Sequence, residues 1–414
     1  MKEEKMSINK DNKEIVLISD IGGTNVRFAL YTEGQTTPLV FDGKYKCTEF
    51  SSFEHAVQYY LSDKNVKPTL CVAGAAGNLD EVTGEILSSN TPWCASKPKL
   101  LARMPYLKDV CIVNDFALQG WALTEMDETQ YRAMFSDKHM VDLSNGNIVV
   151  IGPGTGLGTC LIKQSGPDSQ MIYTSEAGHS TMPHVDFDNP KDNADRDIVL
   201  LALKDFYAKK QGTKPITEHI VSGTGLVNVY QALKYGYIPD KKGEKMQAQE
   251  IEKLAQNGDE IALRTFKIFN AYLGAHAGSL AATEKADKIF FCGGLMASDW
   301  VVEQLEQSSD FKHQFQTRAG MTRAMEQVQF VASKDRDMAV LGALVRSKRL
   351  IEEIQLKQEE RKSCKDMCVA LTILNAFIEK EYPELRPEME RLQSAVEQVK
   401  RARMHQMREG HYLA

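Results

Sequence analysis

Two glycine-rich segments of the chain have the composition of an anion cradle. Asp20-Ile21-Gly22-Gly23-Thr24-Asn25 and Gly152-Pro153-Gly154-Thr155-Gly156-Leu157-Gly158 each combine glycines with a hydroxyl side chain. Glycine has no Cβ, so backbone N–H groups can approach an anion closely and φ can turn positive. Thr24, Asn25 and Thr155 add side-chain donors, and Asp20 could face a cation carried by a phosphate. Neither segment fits the dinucleotide or P-loop pattern. The glycines of the second alternate, no lysine follows them, and both segments lead into a strand pattern rather than the helix those motifs need. For each segment alone, a plain hairpin and a phosphate grip both remain open. Two of them in one chain could hold neighbouring phosphates from opposite lobes.

Three further clusters carry chemistry. Asn114-Asp115 follows the apolar run Val110 to Val113, at the strand end where an α/β fold places its ligand crevice. Asp115 there could be a general base or the cap of a helix over Ala117 to Leu123. Glu176 and His179 set a carboxylate and an imidazole three residues apart around the small Ala177 and Gly178. A polar-ligand contact, a plain turn and a metal site are all compatible with that spacing. Glu218, ahead of His219-Ile220-Val221-Ser222-Gly223-Thr224-Gly225, reads as a ligand carboxylate or a solvated loop residue.

The elements that must position these groups show in the apolar pattern. Ile15 to Ile18 reads as a strand buried on both faces, and Val26, Phe28 and Leu30 alternate as in a half-buried strand. The same strand, glycine turn and strand recur at Ile148 to Ile162, which points to two related α/β lobes. A third strand meets glycines at Ile289 to Gly294, with a helical pattern over Leu295 to Leu305. Further strands are expected at Leu70 to Ala73 and Val110 to Val113. Helices are expected at Phe53 to Leu61, Ile198 to Lys209, Leu226 to Leu233 and Ile251 to Leu280. From Leu350 glycine disappears until Gly410 and charges of both signs intermix, so a helical tail divided by Pro383 and Pro387 is expected.

Composition limits the function. The 414 residues carry 50 Lys and Arg against 56 Asp and Glu, a net charge of −6 with a pI near 5.9. That balance argues against nucleic-acid binding through bulk electrostatics. No apolar run of membrane-spanning length occurs, and the charged first fourteen residues lack the apolar core of a secretory signal. Eight scattered cysteines suit reduced thiols, so a cytoplasmic setting without membrane association is expected.

The segments DIGGTN, SSNTPW (Ser88 to Trp93), VNDF, GPGTGLG, SEAGH, EHIVSGTGL and FCGGL stand in one order over about residues 15 to 346. In that order and spacing the sequence resembles the bacterial-type glucokinases of the sugar kinase/heat-shock protein 70/actin fold. The resemblance implies an α/β, two-lobe actin-like ATPase (ribonuclease H-like) fold, here with an added C-terminal helical extension. It implies a small α/β domain over 14–116 completed by about 335–349 and a large α/β domain over 117–334; the helical extension over 350–414 is expected from the composition change and lies beyond the resemblance.

The resemblance also implies the reaction, ATP-dependent phosphorylation of D-glucose at the 6-hydroxyl, with Asp115 as general base. Asn90, Asn114, Glu176, His179 and Glu218 would join Asp115 in binding the sugar. Asp20, Gly22, Gly23, Thr24, Gly154, Thr155 and Gly156 would hold the ATP phosphates, with Gly293 and Gly294 against adenosine. Mg2+ would arrive with ATP, through water near Asp20. Related ROK-family kinases carry a cysteine-rich zinc motif after their histidine; Ser180-Thr181-Met182-Pro183-His184 contains no cysteine, so structural zinc is not expected. Ala177 stands where the family usually has a glycine. A kinase for another hexose, a sugar-sensing repressor and an actin-like or chaperone ATPase are the alternatives. The repressor would need a DNA-binding module where only about 14 residues precede the first strand. The expected assembly is a homodimer, with the tail packed on the large lobe or across the dimer interface.

Overall fold

A computed structural model of the protein describes residues 13–80, 82–87, 93–136, 141–166, 169–239, 246–335, 337–381 and 383–409. The chain divides into two compact units, Met1–Val113 with Ala343–Ala414, and Asn114–Gly342.

In the first unit, β1 (Ile15–Ile21), β2 (Asn25–Thr32) and β3 (Gly43–Lys46) lead to α1 (Phe53–Lys64) and β4 (Leu70–Ala75). A small antiparallel sheet of β5 (Asn78–Asp80), β6 (Glu85–Leu87) and β7 (Cys94–Ser96) follows, then α2 (Lys97–Arg103) and β8 (Asp109–Asn114). The main sheet has the order β3-β2-β1-β4-β8. β1 pairs antiparallel with β2 and parallel with β4. Its central place explains its nearly unbroken apolar run. The strand extends to Ile21, so Asp20 belongs to the ladder rather than to the turn. α1 starts where the Ser52 side chain accepts from the His55 N–H. Its Tyr60 stacks on Phe28 of β2 with ring centroids 5.0 Å apart.

The second unit opens with α3 (Asp115–Leu123), β9 (Tyr131–Met134), β10 (Ile148–Pro153), β11 (Leu157–Gly166) and β12 (Ser169–Ser175). The helices α4 (Pro190–Gln211), α5 (Gly223–Tyr235), α6 (Ala248–Gln256) and α7 (Glu260–Glu284) follow, then β13 (Lys288–Phe291). The short helices α8 (Gly293–Met296), α9 (Asp299–Gln307), α10 (Ser309–Gln316) and α11 (Thr322–Met325) precede β14 (Gln329–Ser333). The six-stranded sheet runs β12-β11-β10-β13-β14-β9. Its first five places repeat the plan of the other sheet: an antiparallel hairpin on one side of the central strand, a parallel strand on the other. The internal repeat in the sequence is therefore a repeat of topology.

Period-two alternation places the core on both faces of this sheet. Val149, Ile151, Ile289 and Phe291 pack with Val229, Phe269 and Leu273 from α5 and α7. Ile148, Val150 and Phe290 pack with Ala122 and Leu123 of α3. The architecture is α/β with mixed sheets.

Two helical patterns are more broken than the periodicity suggests. Ile251 to Leu280 is interrupted between α6 and α7, where Gly258 takes φ +82° and the Asp259 side chain caps α7 through the Ala262 N–H. Leu295 to Leu305 is cut at Ala297, and Ser298 caps α9. Both halves of each pattern bury the same kind of face, so the apolar spacing hides the break. Conversely, the composition change at Leu350 is no break: α12 runs without interruption from Met338 to Glu381, followed by α13 (Arg386–Glu409). Within α12, Arg346 is 4% exposed and its Nη1 donates to Glu353 at 3.0 Å. No helix among the described residues is long and apolar enough to cross a membrane.

Candidate active site

The β10–β11 hairpin is the frame of the site in the second unit. Gly152 and Gly158 face each other across the ladder, and both lie under the Phe116 ring. A Cβ on Gly152 would fall 2.4 Å from Phe116 Cζ, and one on Gly158 only 2.1 Å from Cδ2. These two glycines are thus a seat for an aromatic ring. The seat fixes the first turn of α3, where Asn114 rather than Asp115 is the cap: its Oδ1 accepts from the Phe116 N–H at 2.8 Å. Asp115 is consequently the first residue of the helix, half-buried, and its carboxylate is not the capping group.

The tip of the same hairpin, Gly154 to Gly156, is held from three sides. The Gly154 N–H donates to Gly156 O at 2.8 Å, and Gly154 O accepts from the Gly223 N–H at 2.7 Å. Thr224 Oγ1 donates to Thr155 O at 2.9 Å. Glu218 Oε2 accepts from the Leu157 N–H at 2.7 Å and closes over Gly156, where a Cβ would meet that oxygen at 2.5 Å. Gly154 itself has no neighbouring atom within 4 Å of an added Cβ, and Thr155 is exposed. This half of the glycine motif is therefore locked from behind and open at Gly154 and Thr155, whose hydroxyl suits an anion.

Glu176 and Glu218 stand on adjacent one-turn 3-10 helices, Ala177–His179 and Thr217–His219. The turns are tied by Thr217 N–H to Ser180 O at 3.0 Å and by a bridge between Thr181 and Ile216. His179 Nδ1 lies 3.3 Å from Glu176 Oε2, and both side chains are more than half exposed. Gly178, not position 177, is the residue that cannot grow: a Cβ there would fall 2.3 Å from Leu157 O. Ala177 is half-buried.

His219 was not expected to matter, yet it is the most constrained group of the set. Its Nδ1 accepts from the Ile216 N–H at 3.1 Å. Its ring stacks on Tyr207 at 3.6 Å and 6°, and its carbonyl accepts from Asn228 Nδ2 at 3.2 Å. Burial, with a smaller contribution from His179, pushes the imidazole down to about 4. The neutral ring therefore carries its proton on Nε2.

Gly293 takes φ +87° and abuts Pro153 O, which a Cβ would approach to 3.2 Å, while Gly294 is open. Both sit beside the same hairpin. Asp115, Glu176, His179, Glu218, Gly154–Gly156 and Gly293–Gly294 all belong to this unit, around one hairpin.

In the first unit, the Gly22 N–H donates to Asn25 O at 2.9 Å and closes the Gly22–Asn25 turn. Asp20 pairs with its cross-strand neighbour Arg27, whose Nε and Nη2 donate to Oδ2 at 2.9 and 2.6 Å. Arg27 also lies 4.5 Å over the Phe41 ring. Gly23 and Thr24 are exposed. Asn90 lies outside the described residues; of its segment only Trp93 is described, its indole N–H donating to Phe50 O at 3.1 Å.

Comparison with known proteins agrees across most of the chain. The glucokinase family profile matches residues 17–350. A glucokinase of Xanthomonas euvesicatoria pv. vesicatoria (strain 85-10) is 31% identical over 335 residues, covering 79% of this chain and 93% of that protein. The crystal structure of glucokinase from an Antarctic psychrotroph superposes with a TM-score of 0.60 at 26% identity, over 80% of this chain and 98% of that one. A ROK-family glucokinase from Streptomyces griseus, in complex with glucose and AMPPNP, shares the fold with a TM-score of 0.52 at 19% identity, over 80% and 98%. With its duplicated sheet and the glycine hairpin at its centre, the chain belongs to the glucokinase family.

Proposed function

We propose that the protein is an ATP-dependent glucokinase that transfers the γ-phosphoryl group to the 6-hydroxyl of D-glucose, with Asp115 as general base. The observation that carries this reading is mechanical. The Phe116 ring seated on Gly152 and Gly158 fixes Asp115 to the hairpin whose tip is the open Gly154–Gly156 turn. Base and phosphate cradle therefore share one frame. Phosphoryl transfer asks mainly for positioning and charge stabilisation.

In this reading Asp115 accepts the hydroxyl proton as the oxygen attacks. Glu176, His179 and Glu218, with Asn114 and Asn90, hydrogen-bond the remaining hydroxyls; a carboxylate can accept from two neighbouring hydroxyls. The backbone N–H groups of Thr155 and Gly156 and the Thr155 hydroxyl bind phosphate oxygens in the turn that the Gly154 N–H closes, with Gly293 and Gly294 alongside adenosine. Asp20, Gly22, Gly23 and Thr24 are proposed as phosphate-binding residues on the same grounds, Gly23 and Thr24 being exposed. Mg2+ supplies charge neutralisation when it arrives with ATP. Asp20, already engaged by Arg27, suits a water-mediated approach to it rather than a dedicated metal cage.

The functional division proposed is a small domain over 14–116 with 335–349, a large domain over 117–334, and residues 350–414 as an added helical extension, whereas the compact units part after Val113 and Gly342. Exposed Leu356, Ile373 and Phe377 on α12 support a homodimer through that extension. The free described cysteines suit a reducing cytoplasm.

A coupled assay with ATP across glucose, mannose, fructose and N-acetylglucosamine tests the reading. Glucose should give the highest kcat/KM. Preference for another hexose would move the chain to that substrate, and ATP turnover indifferent to sugar would overturn the proposal.

A further inference from the structure

Glu218 touches two things that a sugar ligand alone has no need to touch. Its Oε2 accepts the Leu157 N–H at 2.7 Å, and the same oxygen occupies the space where any side chain at position 156 would begin. Among the described residues Oε1 has no hydrogen-bond partner. One carboxylate thus faces two ways: one oxygen is committed to the turn that cradles phosphate, the other is left for a hydroxyl.

The carboxylate is not held by that bond alone. Its turn is fixed from behind by His219, through the Ile216 N–H on Nδ1, the flat stack on Tyr207 and the Asn228 bond to the carbonyl. Ser222 Oγ also donates to Glu218 O at 2.8 Å. Four anchors on two residues leave the side chain little freedom to follow a ligand without pulling on Leu157.

Resting on the glucokinase reading, we propose that Glu218 is a latch shared by the two substrates, with His219 as its positioning residue: hexose on Oε1 stiffens the nucleotide turn through Oε2. Coupling of this kind is reciprocal, so nucleotide must tighten hexose by the same factor as hexose tightens nucleotide. The factor expected for a local hydrogen-bonded link is about 5- to 10-fold.

The experiment mutates one side and reads the other. Gly156→Ala places a methyl against Oε2 at a position whose φ is not in the left-handed region, so the backbone accepts it. Kd values for glucose and for AMPPNP are measured separately and together, by calorimetry on the full chain. In the parent protein each ligand should tighten the other. Gly156→Ala, although it lies in the nucleotide turn, should raise the glucose Kd at least about 5-fold without nucleotide present. His219→Phe keeps the stack but loses the acceptor and should weaken both ligands and abolish their coupling; His219→Asn restores an acceptor and should recover part of it. If Gly156→Ala changes only AMPPNP binding, or His219→Phe leaves the coupling intact, the latch is wrong while the kinase reading stands. If the parent binds neither ligand, the kinase reading itself fails.

Discussion

Phe116 and Gly158 are in contact across less space than a single methyl group requires. An added Cβ at 158 would sit 2.1 Å from the ring and one at the opposed Gly152 2.4 Å. Gly158→Ala should therefore destabilise the protein by about 1–3 kcal/mol through overpacking. Because the ring positions α3, it should also lower kcat more than it raises either KM. Denaturant unfolding and steady-state kinetics on the purified variant measure both. A fully active, fully stable Gly158→Ala would show that the seat does not matter.

Asp115→Ala should reduce kcat at least about 100-fold while glucose still binds, the loss expected of a general base. Asp115→Asn should behave similarly, since it keeps the shape and removes the proton acceptor. Equilibrium glucose binding alongside turnover separates the two effects, and near-normal turnover would remove Asp115 from the mechanism.

Asn114 caps α3 through the Phe116 N–H. Asn114→Ala should cost about 1 kcal/mol of stability, whereas Asn114→Asp keeps the cap and should cost little. In this reading Asn114 also contacts sugar, so the glucose KM should rise in both. A thermal melt paired with KM discriminates the capping role from the binding role.

His276 in α7 is 3% exposed with a buried Nε2 that has no hydrogen-bond partner. Burial pushes its pKa down from 6.5 to about 4. The unfolded chain therefore binds this proton between those values and the folded chain does not. Its contribution to stability is whole above 6.5, declines as pH falls through that window, and levels off below about 4, a total on the order of 3 kcal/mol. Chemical denaturation at about pH 7 and about pH 4.5 should show His276→Leu losing less stability than the parent over that range.

Truncation after Leu350, where the family match ends, removes Glu353 and with it a carboxylate partner of the buried Arg346. Arg346 is buried but the Glu353 side chain is 37% exposed, so solvent screens the pair and its loss should cost about 1–3 kcal/mol. Truncation after Glu360 spares the pair and should be far milder. Melting temperatures of the two shortened chains check this directly.

Much of the frame was legible because it rests on local pattern. The hairpins at 15–32 and 148–166 show as alternating apolar residues around glycine turns, and their repetition announces the duplicated sheet. The aspartate at a strand end was legible as a cap or a base. The cap is its neighbour, because Asn and Asp cap equally well and only the backbone decides. The grip of Glu218 on Leu157 was not legible: 61 residues separate them, and no local spacing encodes the pairing. Nor did the motif show which of its glycines seat a ring, which make room for a carboxylate and which face outwards. The stack of His219 on Tyr207 was hidden for the same reason, and the Arg346–Glu353 pair, two turns apart on α12, was hidden because its helix was expected to break near Leu350.

The open glycines beside the β10–β11 hairpin, Gly154 and Gly294, give the protein a practical property. A reporter group can be attached there without disturbing the framework, and the nearby Cys160 and Cys292 are fully enclosed and unreactive towards bulky reagents. A thiol engineered at position 154 would thus be the addressable one in its neighbourhood, and a dye on it would report arrival of the phosphoryl donor in real time.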